Sequence, residues 1–195
     1  MTKNDAKIGG LLLAAGGSTR FGSPKQLAKF HGKSLLRNAA EAIACSGCSP
    51  VVVVLGANVE DSLAEISDLD LHSVINSNWQ AGMSSSIRTG LVELTNLEAA
   101  LDAVLFALMD QPLITAEHLK AFVERFRRDR PAIIASEYNR ITGVPALFSS
   151  ELFDQILRLE GEEGARAIIR KRTDVVTVAL EEGAIDIDHV ADLRP

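Results

Sequence analysis

The chain alternates between two hydrophobic periods. Residues 8–15, IGGLLLAA, and 51–55, VVVVL, are unbroken apolar runs too short for helices, as strands buried on both faces would be. Between and after them come helical stripes: SLLRNAAEAIACS at 34–46 and NVEDSLAEIS at 58–67. LHSVIN, 71–76, reads as a short strand, and SSSIRTGLVEL, 84–94, as a helix whose leading serines cap it. AVLFALM, 103–109, is another buried strand. TAEHLKAFVERFRR, 115–128, is a helix with Thr115 as its cap and a basic last turn, and AIIAS, 132–136, returns to strand. Strand and helix in turn predict a parallel sheet covered on both faces. After residue 136 the rhythm loosens. YNRITGVPALF reads as an excursion, followed by helices at about 150–159 and 162–171 and a last strand in DVVTVAL. The expected architecture is a single α/β domain over 1–195, a Rossmann-like three-layer sandwich with a mostly parallel sheet.

Ligands of such sheets gather at the carboxyl ends of the strands, near a reversal of strand order. The informative residues therefore follow the strands: GGSTRFGSPK after the first, Asn76–Ser86 after the third, Asp110 after the fourth. The glycines of the first loop, Gly16, Gly17 and Gly22, do not have the spacing of a dinucleotide fingerprint, and GAN after VVVVL offers no ribose-binding acid. Gly17 and Gly22 do have the spacing of an ATPase-type loop, but Ser23 and Pro24 come next and no hydroxyl follows Lys25. What remains is a run of small residues that lets backbone N–H groups approach a ligand, with Arg20 and Lys25 as fixed cations. That combination suits a triphosphate. A tight turn whose charges are merely solvated is the alternative the loop by itself leaves open.

Composition narrows the partners. The chain has 195 residues, 47% of them hydrophobic, and a formal net charge of -6. A core of good size fits one domain, and the acidic balance argues against coating nucleic acid. No apolar run approaches the roughly 20 residues that span a bilayer, and MTKNDAKIGG has no apolar segment of a leader, so a cytoplasmic protein is expected. Cys45 and Cys48 form a C-x-x-C pair that follows a helix. A redox thiolate wants a helix N-terminus instead, and His31, His72, His118 and His189 are too scattered to complete a zinc site. Reduced cysteines near a helix end are expected.

The segment LLLAAGGSTRFGSPKQL, 11–27, resembles the signature LAAGxSxRMGxxKxL of the MobA-like nucleotidyltransferases, with Phe21 where methionine is usual. The likeness runs along nearly the whole chain. NSNWQAGMSSSIRTGL resembles the family's N-x-x-W-x-x-G-M-x-x-S-[LI]-x-x-G-L, and LMDQPLIT its DQP segment. YNRITGVPALF resembles Y-x-G-x-x-G-x-P-x-LF, LEGEEGARAII resembles L-x-GDxGAR, and AIDIDHVADL resembles DIDTPEDL. LAAG in place of LAGG is most similar to the MocA-type molybdenum cofactor cytidylyltransferases. The resemblance implies a fold like that of the nucleotide-diphospho-sugar transferases. It also implies Mg2+-dependent transfer of CMP from CTP to the phosphate of a molybdopterin-type cofactor. Another nucleoside triphosphate, a sugar or alditol phosphate as acceptor, and a non-catalytic nucleotide-binding or cofactor-delivery protein are the alternatives.

Residue roles follow from the same resemblance. The backbone around Ala14, Ala15, Gly16, Gly17 and Ser18 would cradle the triphosphate, and Arg20 would neutralise the leaving pyrophosphate. Lys25, expected as a loop side chain facing solvent or ligand, would hold α- and β-phosphate oxygens. Asp110 and Asp188 would bind Mg2+, with Asp186 the second choice for the latter, since magnesium takes one or two carboxylates plus phosphate oxygens. Gly82, Ser85 and Ser86 would meet the base edge and ribose, and Trp79 reads as a core anchor in preference to a wall of the acceptor pocket. Tyr138, Gly143, Pro145, Gly164 and Arg166 fall to the acceptor. Residues 1–115 would thus form a nucleotide half and 116–195 an acceptor half, and a molybdoenzyme is the protein partner the resemblance suggests. The acceptor half departs from the pattern. Arg140 replaces a glycine, Val144 a polar residue, Glu162 an aspartate, and His189, Val190 and Ala191 replace TPE. A shifted acceptor preference is expected from Arg140 and Val144.

Overall fold

Seven of the nine described strands, counted in chain order, join in one sheet in the spatial order fifth, fourth, first, sixth, eighth, seventh, ninth. The structure, a computed structural model, describes residues 6–18 and 21–193. In chain order the elements are β1 (Ile8–Ala14), the small ribbon β2 (Lys29–Phe30) and β3 (Lys33–Ser34), α1 (Leu35–Ala44), β4 (Val51–Leu55), α2 (Val59–Ile66), β5 (His72–Ile75), α3 (Met83–Leu97) and β6 (Ala103–Leu108). They continue with α4 (Ala116–Asp129), β7 (Ile133–Tyr138), β8 (Ile141–Ser149), α5 (Phe153–Leu157), α6 (Arg166–Ile169) and β9 (Val176–Ala179). Among these seven strands β8 runs antiparallel to both its neighbours, β6 and β7, and the other pairings are parallel. The expected three-layer, mostly parallel α/β sandwich is what forms.

Alternation along the strands sorts the core into two faces. Val51, Val53 and Leu55 of β4 join α1, α4 and Ile66 of α2 on one side. Val52 and Val54 join α3, α5 and α6 on the other. With both faces covered, β4 is buried at every position, which its uniformly apolar sequence requires. Ser34 caps α1 by accepting from Arg37 N at 3.1 Å. Thr115 caps α4 as expected and accepts from His118 N at 3.4 Å.

Three expectations are corrected. The leading serines of α3 do not cap it: the helix starts at Met83 after Gly82, and Ser84, Ser85 and Ser86 are buried within its first turn. The helices expected at 150–159 and 162–171 shrink to α5 and α6, because Gly164 interrupts the second span and a 3-10 turn, Ser150–Leu152, opens the first. The excursion in YNRITGVPALF is the interior strand β8. It returns from β7 through a two-residue turn, Asn139 and Arg140, with φ of 49° and 59°. That left-handed pair is the geometry of a tight hairpin turn.

Candidate active site

The chain runs from β1 to β4 and β5 on one side and to β6 on the other, so strand order reverses between β1 and β6. Leu13 pairs with Leu108 across that junction. The loop after β1 and Asp110 after β6 therefore leave the sheet side by side, at the crevice where such folds bind ligands.

The loop is held open by its own bonds. Ser18 has a left-handed backbone, φ 55°, and its Oγ accepts from Lys25 N at 3.1 Å. Gln26 is fully buried. Its Nε2 donates to Gly16 O at 2.7 Å and Ala14 O at 3.2 Å, and its Oε1 accepts from Ser18 Oγ at 3.3 Å. These contacts turn the Gly16 and Ala14 carbonyls toward Gln26. Gly17 lies on the indole of Trp79: a Cβ there would stand 2.4 Å from the ring. Only glycine allows that approach. Trp79 thus packs against the core and also lines the cleft.

Lys25 is 7% exposed; of the two expected orientations, solvent or ligand, it has the second, on the wall of the cavity. Its Nζ donates to Asp110 Oδ2 at 2.9 Å and to Asp188 Oδ1 at 3.2 Å. Asp188 is brought there by the C-terminal segment, which Ile187 pins in two ways. Its backbone N–H donates to Asp110 O at 2.8 Å, and its side chain is buried with Phe21 and Leu35. Asp192 Oδ2 accepts from the backbone N–H groups of Asp188 and His189 at 2.9 and 2.7 Å. Asp110 Oδ1 is buried with no hydrogen-bond partner among the described residues.

A cavity of ≈ 420 Å³ opens above these groups, lined by Ala14, Ala15, Gly16, Gly17, Ser18, Lys25, Trp79, Gly82, Ser86, Asp110 and Asp188. Most of the expected nucleotide residues therefore meet in one place. Arg20 lies outside the described residues. Ser85 is not on the cavity wall. It is buried beneath it, where its Oγ accepts from Asn76 Nδ2 at 2.8 Å and bonds Gly82 O at 2.8 Å. Asn76 Nδ2 also donates to Ser86 Oγ at 3.0 Å. Gly82 has φ 104°, and a Cβ there would stand 2.2 Å from Gly161 O. Ser84 N and Oγ both donate to that same carbonyl, at 3.2 and 2.8 Å.

A second cavity of ≈ 570 Å³ adjoins the first and shares Leu13, Met83, Leu108 and Glu162 with it. It exists because β6 and β8 pair only as far as Phe106 and Ala146. Beyond that point the β7–β8 register shifts and Val144 and Pro145 bulge out of the ladder, a place that tolerates a residue without an N–H. Gln111 Nε2 bridges the gap, donating to Val144 O at 3.0 Å and Gly183 O at 2.9 Å. Tyr138, Gly164 and Arg166 line this cavity together with Val144, Arg170 and Asp186. Arg166 Nη2 donates to Tyr138 Oη at 2.5 Å. Gly143 lies under that pair, and Pro145 is buried behind the wall with its carbonyl accepting from Ser136 Oγ at 2.7 Å. Arg140 lines neither cavity; it is the exposed turn of the hairpin.

Gln26, Gln111 and Ile187 are the structural supports that sequence reasoning missed. A glutamine after the motif lysine gives no signal of burial, while Gln111 was in view as the middle of DQP without a role.

Two carboxylates, Asp110 and Asp188, meet Lys25 here, and among the described residues no set of three or more His, Cys, Asp or Glu side chains is grouped to hold a metal. The donor set nonetheless fits a hard divalent cation that takes its other ligands from phosphate oxygens and water. The buried, unpartnered Asp110 Oδ1 supports that fit.

An open, mostly parallel sheet whose crevice holds a small-residue loop on one strand and a carboxylate on the next is the frame of an α/β nucleotidyltransferase. More particularly, the chain belongs to the family of the MobA-like NTP transferase domain, whose model matches residues 10–176. It is 29% identical over 201 residues to nicotine blue oxidoreductase of Paenarthrobacter nicotinovorans, covering 95% of this chain and 94% of that protein. The crystal structure of Rv0371c from Mycobacterium tuberculosis H37Rv shares the fold with a TM-score of 0.81 at 23% identity, covering 96% of this chain and 95% of that one. A structure of Rv0371c with manganese has a TM-score of 0.76 at 22% identity, covering 96% of each chain. No helix among the described residues is long and apolar enough to cross a membrane.

Proposed function

We propose that the protein transfers CMP from CTP to the phosphate of a molybdopterin-type cofactor and releases pyrophosphate. The observation that carries nucleotidyl transfer is the convergence of Lys25 Nζ with Asp110 and Asp188 at the mouth of the small-residue loop. An acceptor phosphate oxygen attacks the α-phosphorus. The bond from that phosphorus to the bridging oxygen breaks, and pyrophosphate leaves with the electron pair. An ionised phosphate nucleophile has no proton to lose, so the site needs charge and alignment more than a general base. The N–H groups of the Ala15–Ser18 loop bind the triphosphate, Lys25 neutralises charge on the α- and β-phosphates, and Arg20 takes the leaving group. Asp110 and Asp188 hold Mg2+, which supplies charge neutralisation at the phosphate oxygens. The Gly82 backbone and Ser86 read the base.

The acceptor belongs in the second cavity, with Tyr138, Gly164 and Arg166 against it and Gly143 and Pro145 shaping its wall. The nucleotide and acceptor halves are then not cleanly 1–115 and 116–195, since Asp188 serves the nucleotide side. CTP follows from the LAAG form of the loop. A cytoplasmic site of action and a molybdoenzyme as recipient go with this reading.

The relative from P. nicotinovorans is named for a redox reaction, so the test has two arms. Pyrophosphate release is measured with CTP, GTP, ATP and UTP, with and without purified molybdenum cofactor, beside oxidation of NADH and NADPH. Cofactor-dependent release with CTP is expected. Preference for GTP would move the base assignment. Oxidation of NADH or NADPH without pyrophosphate release would replace the reading with a redox one.

A further inference from the structure

We propose that in the nucleotide-free protein the Lys25 ammonium stands in for the divalent cation, so that Lys25 and a free cation compete for the same carboxylate oxygens until a triphosphate gives the lysine another partner. The inference rests on the reading above only in taking Asp110 and Asp188 as the metal carboxylates.

A lysine with 7% exposure is held in place by its counter-ions. The two whose contacts are described are Asp110 Oδ2 at 2.9 Å and Asp188 Oδ1 at 3.2 Å. The carboxylates need the cation in return. Asp186 lies close enough to Asp110 and Asp188 to be repelled by both, so three acids share this corner. Ile187 and Gln26 fix the backbones on either side of the contact. Lys25 N is itself tied to Ser18 Oγ. What can move is the four-carbon stem of Lys25. Were the ammonium to swing off the carboxylates, it would enter the cavity bounded by Gly16, Gly17 and Ser18, where the phosphates would lie.

Lys25 therefore has two alternative partners and the carboxylates have two alternative cations. Free cation must displace a charge-assisted hydrogen-bonded ammonium to enter. Cation arriving with triphosphate need not leave that ammonium stranded. By linkage, the triphosphate then raises cation affinity by the same factor as cation raises triphosphate affinity.

The test uses Mn2+ as probe on the full chain, with binding read by electron paramagnetic resonance of the free ion and no nucleotide present. Lys25→Met is expected to bind Mn2+ about tenfold or more tightly than wild type, as removal of a directly competing charge requires. Arg166→Met, which removes a nearby cation that does not touch Asp110 or Asp188, is expected to change affinity less than about threefold. Equal or weaker Mn2+ binding by Lys25→Met overturns the proposal, as does an equal gain in Arg166→Met. Should Lys25→Met not fold, wild type decides the matter. Mn2+ alone is expected to increase acetylation of Lys25 by acetic anhydride several-fold, read by peptide mass mapping, and unchanged labelling overturns the proposal. Failure of wild type to bind Mn2+ even with CTP would sink the metal reading itself, a result distinct from tight binding that is indifferent to Lys25.

Discussion

Asp186 and Asp188 stand two residues apart and meet different surroundings. Asp188 receives a hydrogen bond from Lys25, while Asp186 lies on the rim of the second cavity. Partial burial there, then repulsion from Asp110 and Asp188, raises the Asp186 carboxyl above its ordinary range; attraction to Arg166 offsets part of the rise. A carboxyl that holds its proton more tightly when folded weakens the fold as pH climbs past its unfolded value, and the penalty persists at neutral pH. Asp186→Asn should therefore raise the melting temperature at pH 7 and leave it unchanged near pH 3. For a group this open to solvent the gain is at most about 1 kcal/mol. Calorimetry at the two pH values checks it, and a loss at pH 7 would show that Asp186 is instead held by its cationic neighbour. The acids themselves were legible in DQP and DID. Lys25 was legible as a cation but not as a buried one, because nothing local marks Asp188, so distant in sequence, as its partner.

At the scale of elements, the sequence was clearest where a single period ran unbroken. β1, β4, β6, α1 and α4 fall within a residue or two of their expected bounds. It was least clear at β8, where Gly143, Val144 and Pro145 interrupt the alternation that marks a strand. That interruption is the bulge that opens the second cavity, so the feature that hid the strand also shapes the site. The β7–β8 hairpin separates two departures that looked equivalent in the sequence. Arg140 occupies a left-handed turn position away from both cavities, while Val144 faces the second one. Arg140→Gly should stabilise the protein by up to about 1 kcal/mol, the cost of left-handed backbone for a side chain less the entropy glycine loses. It should leave acceptor KM alone. Val144→His should change acceptor KM while CTP affinity stays within about twofold. Denaturant melts and steady-state kinetics of the two single variants separate these outcomes. A KM change from Arg140→Gly would return Arg140 to the acceptor site.

For the molecule as a whole, the two cavities matter most as a pair. Met83 and Glu162 belong to both walls, and Gly161 ties the intervening segment to Ser84 at the start of α3. Occupants of the two spaces would be neighbours, as direct transfer between them demands. Initial-velocity plots for CTP and acceptor should therefore intersect, and the protein should take up no label from α-labelled CTP alone. Parallel lines with a labelled protein would mean a covalent intermediate and a ping-pong route. The sheet and its crevice could be placed from the order of strands and helices. The shared wall could not, since it depends on Gly161 reaching a helix that begins far earlier in the chain.

All seven strands of the main sheet precede Asp186 in the chain, while Asp188 completes the pair of carboxylates around Lys25. On the ribosome, the strands up to β8 and the loop after β1 therefore emerge well before the segment carrying Asp188. A nascent chain at that stage carries the loop after β1 and Asp110 but lacks one of the two acids proposed to hold the metal. By order of synthesis, the proposed second metal acid is thus added to a cleft whose other described walls lie earlier in the chain.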